Sequence, residues 1–136
     1  MTQLVLLAEE DLILREQLAR ALRVHGYQVI AVRDGLGLCD YLELARFSNG
    51  RAPNPDCIVS DAELAGYGGA RICQQLSHDQ AKIPFVLLGT GELAPDSGAS
   101  DLVQKPVNPE VLIQAVMACL ANAPARREEQ AAAAAG

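Results

Sequence analysis

Short apolar runs alternate with helical periods along this chain. Leu4 to Ala8 is unbroken apolar sequence that stops at Glu9, which predicts a strand buried on both faces. Leu14, Leu18 and Leu22 then recur at helical spacing behind Asp11 as N-cap, and His25-Gly26 closes that period. His25 reads as a cation near a helix end rather than a catalytic group. Val29 to Val32 predicts a β-branched strand, and Gly35 to Phe47 a helix through Leu38, Leu42 and Ala45. After the loop SNGRAPNP comes a third strand, Cys57 to Ser60, ending at Asp61. A GYGG turn leads to a short helix with Ile72, Cys73 and Leu76, and Pro84 opens a fourth strand, Phe85 to Leu88. The glycines and proline of GTGELAPDSGAS leave little room for a helix before Leu102-Val103, a short fifth strand. Asn108 and Pro109 start a last helix with its stripe at Leu112, Ala115, Val116, Cys119 and Leu120.

Apolar strands alternating with helices predict an α/β fold: a doubly wound, five-stranded parallel sheet of flavodoxin-like order 2-1-3-4-5. One domain is expected over residues 1–122. Residues 123–136, with PARREEQ and a run of alanines, are expected to be a linker, a tail or an expression remnant.

Composition narrows the function. The chain has 136 residues, half of them hydrophobic, and a net charge of −6. That suits one domain with a real core, and disfavours nucleic acid and anionic membranes as partners. No apolar run approaches the ~20 residues of a bilayer span, and the N-terminus lacks the basic region of a signal peptide. Cys39, Cys57, Cys73 and Cys119 form no CxxC pair, so they are expected to be buried thiols in a reducing cytoplasm rather than zinc ligands.

In such a sheet, ligands bind beyond the carboxyl ends of the strands. Those ends carry Glu9, Glu10 and Asp11 after strand one, and Asp61 and Glu63 after strand three. Gly89 and Thr90 follow strand four, and Lys105-Pro106 follows strand five. Acids at strand ends can be mere helix N-caps, which explains Asp11 but explains Asp61 and Lys105 on separate strands poorly. Several carboxylates at one rim repel each other unless a cation joins them. All-oxygen donors without a calcium-loop spacing favour Mg²⁺, with Mn²⁺ as an alternative. With a lysine nearby, that is a site for a phosphoryl group, and a carboxylate there can itself be the nucleophile.

LVLLAEED, PDCIVSDAELAGYGG and GASDLVQKPVNPEVL, in this order, resemble the three motifs of the receiver domain of two-component response regulators, over roughly residues 3 to 121. The resemblance implies a CheY-like fold and a phosphorelay signalling role rather than an enzyme's. Asp61 would be the phosphoacceptor. Mg²⁺ would be held by Glu10, Asp61 and the backbone carbonyl of Glu63, with Glu9 as a further candidate. Lys105 would bind the phosphoryl group, with Thr90 as a further candidate, and the Lys105-Pro106 bond would be cis. The partners implied are a histidine kinase or phosphotransfer protein and an output domain or protein, in the cytoplasm.

The chain departs from the family pattern where the family switches. Glu10 replaces the usual Asp. The switch positions carry Gly89 instead of Ser or Thr, and Leu102 instead of an aromatic residue. The segment before Lys105 is short, so the helix between strands four and five is expected to be shortened or irregular. Those departures suit a second reading, a phosphorylation-independent pseudo-receiver acting as an interaction module. A nucleotide-binding enzyme is disfavoured, because GxxxxGK[ST] and GxGxxG are both absent.

Overall fold

The structure, a computed structural model, describes residues 2–65, 68–76 and 83–122. Its elements run β1 (Leu4–Ala8), α1 (Leu12–Val24), β2 (Gln28–Val32), α2 (Gly35–Phe47), β3 (Cys57–Asp61) and α3 (Gly69–Leu76). β4 (Phe85–Gly89), β5 (Asp101–Gln104) and α4 (Pro109–Ala121) complete the chain. The strands form one parallel sheet in the order β2-β1-β3-β4-β5. Part of the GYGG turn, His78 and the whole of 123–136 lie outside the described residues.

Strand alternation sorts the core into two layers. Val5, Leu7, Cys57, Val59, Val86, Leu88 and Val103 face α1 and α4, meeting Leu18, Leu22, Leu112 and Val116. Leu6, Ala8, Ile58, Phe85 and Leu87 face α2 and α3, meeting Leu38, Ile72 and Cys73. β1, β3 and β4 thus bury both faces, which is why they read as unbroken apolar runs.

The helices start where capping chemistry allows. Asp11 accepts from the Leu14 N–H at 3.0 Å, Asp34 from Gly37 at 2.8 Å, and Asn108 from Glu110 at 2.9 Å. Each such cap is worth about 1 kcal/mol. His25 caps the C-terminus of α1 and Gly26 follows at φ +100°, a left-handed conformation that suits glycine.

The sheet departs from the usual doubly wound pattern between β4 and β5. Residues 90–100 form turns and bends with no helix. Gly91 and Gly98 have positive φ, and Pro95 lies between them. Ser100 donates its N–H to the Phe85 carbonyl at 2.8 Å, so the segment returns along β4. Leu93 and Ala99 pack on the second core layer where a helix would have lain.

Candidate functional site

Parallel register sets the rim of the sheet. Ala8 pairs with Ser60, so Glu9 and Asp61 are the next residues on adjacent strands. β4 lies between β3 and β5, and the long Lys105 side chain crosses it to reach both acids. The Lys105 ammonium donates to Asp61 Oδ2 and lies 3.8 Å from Glu9 Oε1. Asp61 Oδ1 accepts from the Glu63 N–H at 3.0 Å, which folds the chain tightly after β3. From α1, Arg15 donates to the Glu9 carbonyl at 3.1 Å and steadies that strand end. The Lys105-Pro106 bond is cis.

Glu9 is 2% exposed. Its Oε1 accepts a long, 3.4 Å bond from the Asp11 N–H, and among the described residues its buried Oε2 has no hydrogen-bond partner. Burial pushes its carboxyl above the usual carboxylate range and the Asp61 charge adds to that, with Lys105 offsetting part. Burial pulls the Lys105 ammonium down. Its hydrogen bond to Asp61 and the charges of Glu9, Asp61 and Asp11 outweigh burial, so its net shift is upward.

Gly69 lets α3 approach this corner. A Cβ there would run into the Asp61 carbonyl oxygen and the Ser60 hydroxyl, which itself donates to that carbonyl at 2.9 Å. The Ala70 N–H bonds the Ala62 carbonyl at 3.2 Å, closing the turn from β3 into α3. At Gly89, by contrast, a Cβ would meet Ala62 Cβ at 3.4 Å and Leu102 Cδ1 at 3.6 Å, ordinary contacts.

The structure therefore joins Glu9, Asp61 and Lys105 in one contact set. Glu10 is exposed and takes no part in those contacts. Thr90 is exposed one residue beyond β4, and Leu102 is half-buried in the second core layer. Sequence reasoning did not single out Arg15 or the close approach at Gly69. The glycine was visible, but only tertiary packing shows what it avoids.

The donor set suits a hard divalent cation. It offers Glu9 and Asp61 oxygens, one of the Glu9 oxygens being buried and still lacking a partner. Among the described residues, no group of three His, Cys, Asp or Glu side chains closes on one point. An ion that keeps several waters fits such an open set, and Mg²⁺ is that kind of ion.

The site is thus a doubly wound parallel sheet with two rim carboxylates, Glu9 and Asp61, reached by one lysine. The profile of the response regulator receiver domain matches residues 5–117, and the chain belongs to that family. It is 32% identical over 123 residues to the transcriptional regulatory protein CseB of Streptomyces coelicolor, covering 85% of this chain and 48% of CseB. It is 28% identical over 122 residues to the response regulator MprA of Mycobacterium avium, covering 85% of this chain and 50% of MprA. The chain thus spans about half the length of these curated relatives.

Among solved structures it is similar to the signal receiver domain of a histidine kinase from Syntrophus aciditrophicus. There the TM-score is 0.76 and the identity 27%, over 90% of this chain and 93% of that one. It is also similar to the chemotaxis response regulator CheY4 of Vibrio cholerae. That match has TM-score 0.72 and 26% identity, over 88% of this chain and all of the other. The chain is a two-component receiver domain, of a class that generally binds Mg²⁺ and is generally not enzymatic. Among the described residues, no helix is long and apolar enough to cross a membrane.

Proposed function

We propose that this receiver domain accepts a phosphoryl group on Asp61 from a histidine kinase or phosphotransfer protein. The observation that carries the reading is the Lys105 ammonium hydrogen-bonded to Asp61 and facing buried Glu9 at the sheet rim. An Asp61 Oδ attacks phosphorus of the donor's phosphohistidine and the P–N bond breaks. The electron pair leaves with the imidazole nitrogen, and an aspartyl phosphate remains. Lys105 neutralises charge on the acceptor and then on the transferred group. The Glu63 N–H fixes the carboxylate by holding Oδ1.

Glu9, Asp61 and the Glu63 carbonyl would hold Mg²⁺, with Glu10 reaching in from the exposed rim. The ion supplies charge neutralisation between these acids and the phosphoryl oxygens. Four free thiols are consistent with the expected cytoplasmic setting. The output partner is read as a protein or a domain of the same polypeptide.

Intact mass after incubation with acetyl phosphate and Mg²⁺ tests the assignment. One phosphoryl adduct is expected, lost in Asp61→Ala and slowed in Lys105→Ala. An adduct persisting in Asp61→Ala would move the acceptor elsewhere. No adduct under any phosphodonor would establish the pseudo-receiver reading instead.

A further inference from the structure

Gln104 stands beside Lys105 and pairs in register with Gly89. Its side-chain amide donates to the Gly91 carbonyl, and the next backbone N–H, that of Lys105, donates to the Gly89 carbonyl at 2.8 Å. Gln104 at the end of β5 and Lys105 just after it therefore grip both ends of Gly89-Thr90-Gly91. Gly91 sits at φ +87°, a left-handed conformation that suits glycine, in the bend directly after Thr90. No helix follows to brace this turn. In the sheet order β3-β4-β5 the turn lies between the strand ending at Asp61 and the strand leading to Lys105. Gly89 offers no side chain, so the hydroxyl nearest the end of β4 is that of Thr90.

The geometry points to Gln104 as a positioning residue for phosphoryl transfer. Its amide clamp fixes the turn so that Thr90 presents its hydroxyl to the group on Asp61. Gln104 touches neither Asp61 nor the phosphoryl group and acts only through the turn. The chemistry calls for a neutral donor at the end of a two-methylene arm. A carboxylate at 104 could only accept, and would repel the Gly91 carbonyl. The inference rests on Asp61 as acceptor.

A double-mutant cycle tests it. Phosphorylation rate with acetyl phosphate, beryllofluoride affinity and melting temperature are measured for wild type, Gln104→Ala, Gln104→Glu, Thr90→Ala, Thr90→Ser and Thr90→Ala/Gln104→Ala. Gln104→Ala and Thr90→Ala should each weaken phosphorylation and beryllofluoride binding by roughly fivefold, the worth of one neutral hydrogen bond. The double variant should be no worse than Thr90→Ala, Gln104→Glu should be at least as impaired as Gln104→Ala, and Thr90→Ser should stay close to wild type. Multiplying losses in the double variant would show a general structural role and overturn the inference. So would a Gln104→Ala protein that matches wild type. If wild type itself takes no phosphoryl group, the acceptor reading falls first and is distinguished by that control.

Discussion

Replacing Glu9 by Gln should make the metal-free domain more stable and its metal response weaker. Glu9 is buried, with one carboxylate oxygen unpartnered and Asp61 as a charged neighbour. An unsatisfied buried acceptor costs about 1–3 kcal/mol, and more when charged. Lys105 offsets part of that at 3.8 Å. Gln keeps the shape, removes the charge and brings an amide that can donate toward Asp61. A net gain of about 1 kcal/mol is expected without metal, or roughly 3–6 °C in melting temperature. At ten times its dissociation constant, Mg²⁺ should stabilise wild type by about 1.4 kcal/mol. The variant should gain less than about 0.4 kcal/mol at the same Mg²⁺ concentration, so the two proteins exchange rank between EDTA and Mg²⁺. The pH sign follows from linkage. The Glu9 carboxyl is raised in the folded state, so the folded protein binds more protons across the carboxylate range. Metal-free wild type should therefore lose stability as pH rises through the folded value, and the variant should lack that component. Melting curves in EDTA and in Mg²⁺, between acid and neutral pH, decide it. A variant less stable than wild type in EDTA at neutral pH would mean that Lys105 attraction outweighs burial. An unchanged Mg²⁺ response would remove Glu9 from the metal set.

Gly69→Ala forces a methyl group against the Asp61 carbonyl and should cost about 1–3 kcal/mol while slowing phosphorylation; an unshifted melting temperature would contradict the close approach. Gly89→Ser places its Cβ in ordinary contact, so stability should change by no more than about 0.5 kcal/mol and any effect should appear in the lifetime of the aspartyl phosphate. A loss above about 2 kcal/mol would show that the space beside Leu102 is closed. Amide shifts on beryllofluoride binding should concentrate at Asp61, Gly89 to Gly91 and Lys105; large shifts through Leu102 and α4 would refute local coupling.

The sequence made the fold legible because burial and periodicity coincide in β1, β3, β4 and α4. The element ends were less legible. Gln28, Asp61, Gly89, Asp101 and Gln104 all join the sheet ladder, yet none is marked by apolarity. Apolar character reports burial, whereas the ladder is made by backbone groups that polar residues also carry. Asp61 and Lys105 could be read from their places after strands. Which of Glu9 and Glu10 turns inward could not, because successive residues at a strand end face opposite ways and their motif is shared. The Gln104 clamp was invisible because it needs the turn at Gly91 to exist first.

The missing helix bears on where a signal can go. A switch needs an element with two arrangements whose balance the phosphoryl group biases. Leu102, like Leu93 and Ala99, packs half-buried on the second core layer, and it has no polar tip to favour an exposed state. The segment over residues 90–100 is fixed by separate ties: Gln104 to Gly91, Gln74 of α3 to Asp96 at 3.4 Å, and Ser100 to Phe85. Lys105 links Asp61, which its ammonium contacts, to the Thr90 turn, where its backbone N–H holds the Gly89 carbonyl. From there the tied segment leads toward α3 rather than along a helix beside β5. The strap over residues 90–100 is therefore tied to α3 as well as to β4 and β5. Breaking the Gln74–Asp96 tie should loosen that strap without touching the acceptor chemistry.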